Sequence, residues 1–104
     1  MATLSEKNIT ESKQTNEKSD LTVTTSPNPF RASIRFNIIS PETGKVKILI
    51  YDVSGVKRGE LEQDVIKNIP ATMWFRDKQL RQGMLFYRVL INNRTTSGKI
   101  VQVN

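Results

Sequence analysis

Strict alternation of apolar and polar residues is the feature that most restricts what this chain can become. In "ASIRFNII", Ile34, Phe36 and Ile38 alternate with Ser33, Arg35 and Asn37. In "KVKILIYDV", Val46, Ile48 and Ile50 fall on one face, with Lys47, Leu49 and Tyr51 on the other. In "MLFYRVLIN", Leu85, Tyr87, Val89 and Ile91 share a core face and leave Arg88 to solvent. Successive strand side chains point to opposite faces, whereas a helix repeats every 3.6 residues, so this spelling predicts strands and no helix of useful length.

Turn residues punctuate these runs. "LTVTT" (Leu21–Thr25) reads as a short first strand, and "PETG" (Pro41–Gly44) as a turn. "DVSG" (Asp52–Gly55) suits a type I turn, with an Asp that caps backbone N–H groups at the first position and Gly at the fourth. "VKRGELE" follows as a strand, and "QDVIKNIPA" as a strand end running into a loop. "TMWFR" reads as a strand with Trp74 inside, "DKQLRQG" as a polar connection, "NRTTSG" as a turn and "KIVQV" as the last strand, with Val101 and Val103 on one face. Seven strands at such spacing predict an all-β fold, a seven-stranded immunoglobulin-like β-sandwich.

The sandwich is expected to occupy residues 21–104. Residues 1–20, "MATLSEKNITESKQTNEKSD", carry almost no large apolar side chains and cannot offset their own ordering entropy, so they read as a flexible polar linker. Charge divides the same way. The linker carries a net of −1 and the body a net of +7, out of +6 for the whole chain. In the body the positive residues are scattered, which suits the solvent faces and edges of sheets. No basic stripe interleaves with exposed aromatics, so no nucleic-acid partner is expected.

Chemistry is largely excluded by what the sequence lacks. Without cysteine or histidine there is no disulfide, no thiolate metal site, no usual zinc ligand and no usual general base. Asp52, Glu60, Glu62, Asp64 and Asp77 lie at turns and strand ends without a pairing that singles out an acid and a base, and Ser54 has no histidine to activate it. Neither enzymatic activity nor a cofactor or metal is expected. No apolar run approaches the roughly 20 residues that span a bilayer, and "MATLSEKNIT" is polar where a secretory leader would be apolar. The expectation is a chain that is not an integral membrane protein, and either stays where it is made or is a piece of a longer exported precursor.

One stretch needs its own explanation. In "TSPNPFRASIRFNI", Pro27 and Pro29 lack N–H donors and cannot sit inside a central strand, and Asn28, preceding a proline, is pushed towards an extended conformation. The expectation is a stiff elbow that stops the first strand from forming a hairpin and sends the chain across to the other sheet.

Taken in order, "PNPF", "IRFNI", "GKVKILIYDVSGVKR" and "LRQGMLFYRVLINNRTTSGKIVQV" resemble the type A C-terminal sorting domain of the type IX secretion system of Bacteroidetes, over Leu21 to Asn104. Pro27, Asn28, Pro29 and Phe30 match the opening motif of that family. Asp52 and Gly55 match its central turn, Gly83 the glycine before the penultimate strand, and Lys99, Ile100 and Val101 the terminal strand. The sequence departs from the family pattern at Leu85, where tyrosine is usual, at Asn104, where a basic residue is common, and at Phe75-Arg76-Asp77 after Trp74, where Asp-Gly often follows.

The resemblance implies a seven-stranded sandwich, covalently part of a larger cargo protein, that directs the cargo from the periplasm across the outer membrane. It implies as partners the type IX translocon and an outer-membrane shuttle protein, and a surface sortase-like protease that often removes the domain, leaving the cargo on the cell surface or secreted. The surface to be read is expected on the terminal pair of strands, Met84–Asn92 and Lys99–Val103. Translocon recognition is expected along Lys99, Ile100, Val101, Gln102 and Val103, as an edge strand whose unpaired backbone accepts a partner strand, with Arg94 and Lys99 adding charge-assisted contacts to an acidic receptor surface. The competing expectation for the same strand is that Val101 and Val103 only complete the core. The competing function is an accessory adhesion or carbohydrate-binding module that stacks sugars on Trp74, Tyr51 or Tyr87.

Overall fold

The computed structural model describes residues 21–77 and 81–103. The expected linker at residues 1–20 lies outside the described residues. The described chain forms seven strands in two antiparallel sheets: β1 (Thr22–Ser26), β2 (Ser33–Ile39), β3 (Gly44–Asp52), β4 (Lys57–Val65), β5 (Ala71–Arg76), β6 (Gly83–Ile91) and β7 (Arg94–Gln102). One sheet has the order β1-β2-β5, and the other β4-β3-β6-β7.

Alternation decides the core. Ile34, Phe36 and Ile38 of β2 pack against Val46, Ile48 and Ile50 of β3 and Leu85, Val89 and Ile91 of β6, all buried. Phe36 meets Tyr87 edge to face, with ring centroids 5.2 Å apart and planes at 80°. Phe30, from the elbow, is buried and meets Phe75 in the same way at 6.3 Å.

Both edge strands of the larger sheet carry a glycine beneath an aromatic ring. A Cβ at Gly59 would come within 2.5 Å of Phe75 Cε1, and one at Gly98 would collide with the Tyr87 hydroxyl and ring. Tyr87 lies opposite Gly98 in the β6–β7 register. The ring therefore covers a position that has no side chain of its own, which offsets the weakness of glycine inside a strand.

Four expectations need correction. The elbow does not carry the chain to the other sheet, because β1 pairs with β2 in antiparallel register from Thr22↔Ile39 to Ser26↔Arg35. Trp74 is not inside but 48% exposed, since Met73 and Phe75 take the inward positions of β5 and a strand cannot bury adjacent residues on one face. The last turn is confined to Asn92 and Asn93, with Asn92 at φ 52°, and Arg94 to Gly98 already belong to β7. Finally, β7 buries Ile100 and Gln102, whereas Val101 and Val103 are half-buried.

Candidate functional site

The elbow and the last strand meet. Ser26–Pro27 and Asn28–Pro29 are both cis peptides, and the loop they shape leaves the β1–β2 hairpin and leans against β7. Phe30 N–H donates to the Val101 carbonyl at 2.8 Å, and Val103 N–H donates to the Phe30 carbonyl at 2.8 Å. These bonds form a parallel bridge, Phe30↔Gln102, outside the regular ladder. Asn28 adds a side-chain clamp: its Oδ1 accepts from Val101 N–H at 3.0 Å, and its Nδ2 donates to the Lys99 carbonyl at 3.5 Å. Asparagine is suited to this because its amide offers an acceptor and a donor side by side, as a backbone does.

The sequence motif thus joins the loop of one sheet to the edge of the other. Pro27, Asn28 and Pro29 stay exposed, while Phe30 drops into the core as the anchor. The two prolines deny the loop its N–H donors, so the hairpin stops zipping and the remaining polar groups turn to β7.

This geometry bears on the expected recognition strand. β7 does stand at the edge of its sheet. Yet the outward backbone groups of Val101, the Lys99 carbonyl and the Val103 amide are already bonded to the elbow. A partner strand could not pair there without displacing Asn28 and Phe30. Ile100 and Gln102 point inward, which leaves the side chains of Lys99, Val101 and Val103 as what this stretch presents. Arg94 is also committed, donating from Nε to Glu42 Oε2 at 2.6 Å, while Asn92 bonds the other oxygen of Glu42. These two bonds, the Arg94 contact first, hold the Glu42 carboxyl below its ordinary range.

Asp52 and Gly55 form the expected turn. Gly55 N–H reaches the Asp52 carbonyl at 3.0 Å, and Gly55 takes the left-handed φ of 88°. Asp52 Oδ1 accepts from Ser54 Oγ at 2.7 Å, Ser54 N–H at 2.9 Å and Val56 N–H at 3.0 Å. These bonds, led by the Ser54 hydroxyl, lower the Asp52 pKa. Gly83, at φ 137°, opens β6 opposite Gln102. The elbow, the Asp52–Gly55 turn and Gly83 therefore lie at the end of the sandwich where β7 finishes, and it is the elbow that bonds across to β7.

A buried polar cluster at that end escaped the sequence reading. The β3–β4 register slips between Ile50↔Gly59 and Tyr51↔Lys57, which leaves Arg58 as the extra residue of a bulge. The bulge re-aims its guanidinium inward. Arg58 donates to Asp77 Oδ2 at 2.5 Å and to Gln102 Oε1 at 3.3 Å, and the Arg58 and Asp77 side chains are only 7% and 3% exposed. Gln102 in turn donates to the Arg31 carbonyl at 2.8 Å, and Asp77 N–H donates to the Ala32 carbonyl at 2.9 Å. β4, β5, β7 and the elbow are thus tied by one network. The available signal was Gly59 inside an otherwise regular strand pattern, which marks a bulge.

Elsewhere the carboxylates serve as partners to cations. Lys47 Nζ lies 3.5 Å from Glu60 and 3.7 Å from Glu62, and Lys57 Nζ lies 2.6 Å from Glu60. Among the described residues no group of acidic side chains gathers in a way that could hold a metal ion, and no helix is long and apolar enough to cross a membrane.

The fold and the elbow contact define a class first: an immunoglobulin-like sandwich whose proline elbow is bonded to its last strand. A segment of a known structure shares the fold. The chain is similar to PorU from Porphyromonas gingivalis, in its dimeric latent crystal form, with a TM-score of 0.62 and 25% identity over 78% of this chain. The match spans only 9% of that protein. A β-glucosidase from Listeria innocua, solved with laminaribiose and with glucose, is a more distant likeness at 14% identity, with TM-scores of 0.44 and 0.43 over 82% of this chain and 16% of that one. The sequence matches no protein-family model and no curated protein.

Proposed function

We propose that this chain is a type IX secretion sorting domain, a folded label that is bound by the export machinery and performs no chemistry of its own. One observation supports the reading above the others. The family-matching residues of "PNPF" and "KIVQV", more than seventy positions apart, meet in one structural unit in which Asn28 and Phe30 bond the backbone of Lys99, Val101 and Val103. The likeness to a segment of PorU, a component of the same secretion system, supports it independently. On this reading the domain ends a larger cargo protein that passes through the periplasm to the cell surface or the medium. Its partners are the type IX translocon and its outer-membrane shuttle, and a surface sortase-like protease then cuts within the polar segment before Leu21. The test is a fusion of the whole chain behind a periplasmic reporter in a type IX-competent host. Reporter exposed on the cell surface is the expected result. Reporter retained in the periplasm, with the domain folded, would sink the proposal.

A second reading is favoured by Trp74. The residue is 48% exposed on the outer face of the three-stranded sheet, beside Asn37 and Thr72, with the Arg35 guanidinium over its ring, 5.9 Å from the centroid. A flat polar face with one exposed indole suits a sugar-stacking module. Glycan-array binding that is lost in Trp74→Ala would support it.

A further inference from the structure

With the β7 edge occupied by the elbow at Lys99, Val101 and Val103, side chains are what that end of the strand presents, and the outer face of the four-stranded sheet is where they are most unusual. Residues directly opposite on paired strands share a face. The register therefore lays out adjacent rows across this face. Tyr51, Phe86 and Lys99 form one row, and Met84 and Val101 lie beside it. Leu49, Arg88 and Ser97 form the next, and Lys47, Leu90 and Thr95 the one after. Met84 is 41% and Phe86 39% exposed, and Tyr51, Leu49, Leu90 and Val101 are half-buried around them. The solvent face of an antiparallel sheet is ordinarily polar, so a contiguous apolar group of six there requires an explanation.

Charge narrows the occupant. On the β4 side, Glu60 and Glu62 are paired with Lys47 and Lys57. On the β6–β7 side, Arg88 and Lys99 have no ion-pair partner among the described residues. The face therefore has an apolar centre with free positive charge along one side. We propose that this face, centred on Phe86 and bordered by Arg88 and Lys99, is a docking surface for a protein segment that presents carboxylates beside apolar side chains. Aromatic and apolar groups at the centre supply the desolvated contact, and the two cations set orientation and encounter rate. A second copy of this chain fits less well, because each copy carries +6 and its facing carboxylates are already paired.

The inference rests on the sorting reading in one respect: if that reading holds, the acidic segment belongs to the translocon or its shuttle. The probe is a synthetic peptide alternating Asp with Leu and Phe, titrated into the full 104-residue chain while amide NMR shifts are followed. The expected result is saturable binding with shifts clustered at Met84, Phe86, Arg88, Lys99 and Val101. Phe86→Lys and the double variant Arg88→Glu/Lys99→Glu should each weaken it by about tenfold or more. Ile39→Lys, which adds the same charge on the opposite sheet, should leave it unchanged; far-UV circular dichroism checks that all variants fold. Binding that ignores both face variants overturns the proposal. So does a dimer in sedimentation that Phe86→Lys dissolves, which would make the occupant a second copy. Binding of phosphatidylglycerol vesicles through the same residues, without peptide binding, overturns it in favour of a lipid surface. The reporter fusion separates the two readings. Export by the native chain that persists in Phe86→Lys denies this face a role at the translocon and leaves the sorting reading intact. No export by the native chain sinks the sorting reading, and the peptide titration then decides the surface alone.

Discussion

Asn28 lies along the outer edge of Val101, accepting its amide proton at 3.0 Å and reaching the Lys99 carbonyl with its own NH2 group at 3.5 Å. Two residues more than seventy positions apart thus behave as neighbouring strand residues, with a side chain standing in for one backbone. Replacing Asn28 by Ala removes both bonds without emptying the core. The expected loss is about 1 kcal/mol of unfolding free energy, since the site is exposed and water replaces part of what is lost. Hydrogen exchange at Val101 should accelerate more than exchange at Val89. Uniform acceleration at both would mean that the clamp acts only through global stability.

Tyr87 and Gly98 make a pair that can be tested from both sides. Gly98→Ala drives a methyl group into the Tyr87 ring and should cost about 1–3 kcal/mol. In a Tyr87→Ala background, where the ring is gone, the same substitution should cost little or become favourable. A double-mutant cycle from urea midpoints would read a coupling of about 1 kcal/mol or more. Burial raises the Tyr87 hydroxyl pKa, so the native ring should ionise above its ordinary value of 10.0.

Much of this arrangement was legible in the sequence, and the reasons it was or was not are physical. Ile34, Phe36, Ile38, Val46, Ile48 and Ile50 could be placed because burial on one sheet face imposes a period of two, which any reader of the chain can count. Trp74 defies the expectation from size because Met73 and Phe75 hold the inward positions of β5 and Trp74 falls between them. The elbow was recognisable as a break, since two prolines forbid a ladder. Its destination was not, because hydrogen bonds to β7 span the length of the domain and leave no local periodicity. The bulge at Arg58 inverted one side chain, and a single glycine was its only advertisement.

Acid should weaken the fold through surface carboxylates whose partners depress their pKa, Asp52, Glu42 and, beside Lys57, Glu60. The Asp52 pKa is lowered from an ordinary value of 3.8, chiefly by the Ser54 hydroxyl, and that of Glu42 from 4.5, chiefly by Arg94. A carboxyl with a depressed folded pKa binds protons more weakly folded than unfolded. Its contribution is therefore complete above the ordinary values, and is lost as pH falls through them to the folded values. The urea midpoint should be flat from pH 7 to 5 and fall below about pH 4.5. Ser54→Ala should make that fall shallower, and an unchanged acid limb would remove Asp52 as its cause.

The sole tryptophan offers an optical check on the corrected side-chain placement. As a residue 48% exposed on a sheet face, Trp74 should emit at long wavelength in the native state and be quenched readily by acrylamide. Trp74→Ala should change stability by less than about 1 kcal/mol, since no cavity is opened in the core. A blue-shifted, quencher-resistant native emission would put the indole back inside.

The Arg58–Asp77 pair sits where water is nearly excluded, and that sets a clear expectation for its removal. Arg58→Met leaves the Asp77 carboxylate in the interior with the half-exposed Arg81, 3.4 Å away, as a charged partner. Breaking a buried pair from one side typically costs about 3–5 kcal/mol, because the surviving charge keeps its desolvation penalty and loses its compensation. The Arg58 Nε is buried and meets no hydrogen-bond partner among the described residues. Arg58→Met/Asp77→Leu removes both charges together and replaces them with apolar volume. The double variant should therefore recover most of the loss of the single one, and urea denaturation of the two should differ by about 2 kcal/mol or more. Gln102 would lose a donor in both, so its bond to the Arg31 carbonyl, 2.8 Å long in the native fold, is the control on whether the elbow stays docked. If the single and double variants are equally unstable, the cluster matters as a hydrogen-bonded strut between β7 and the elbow, and its charge is incidental.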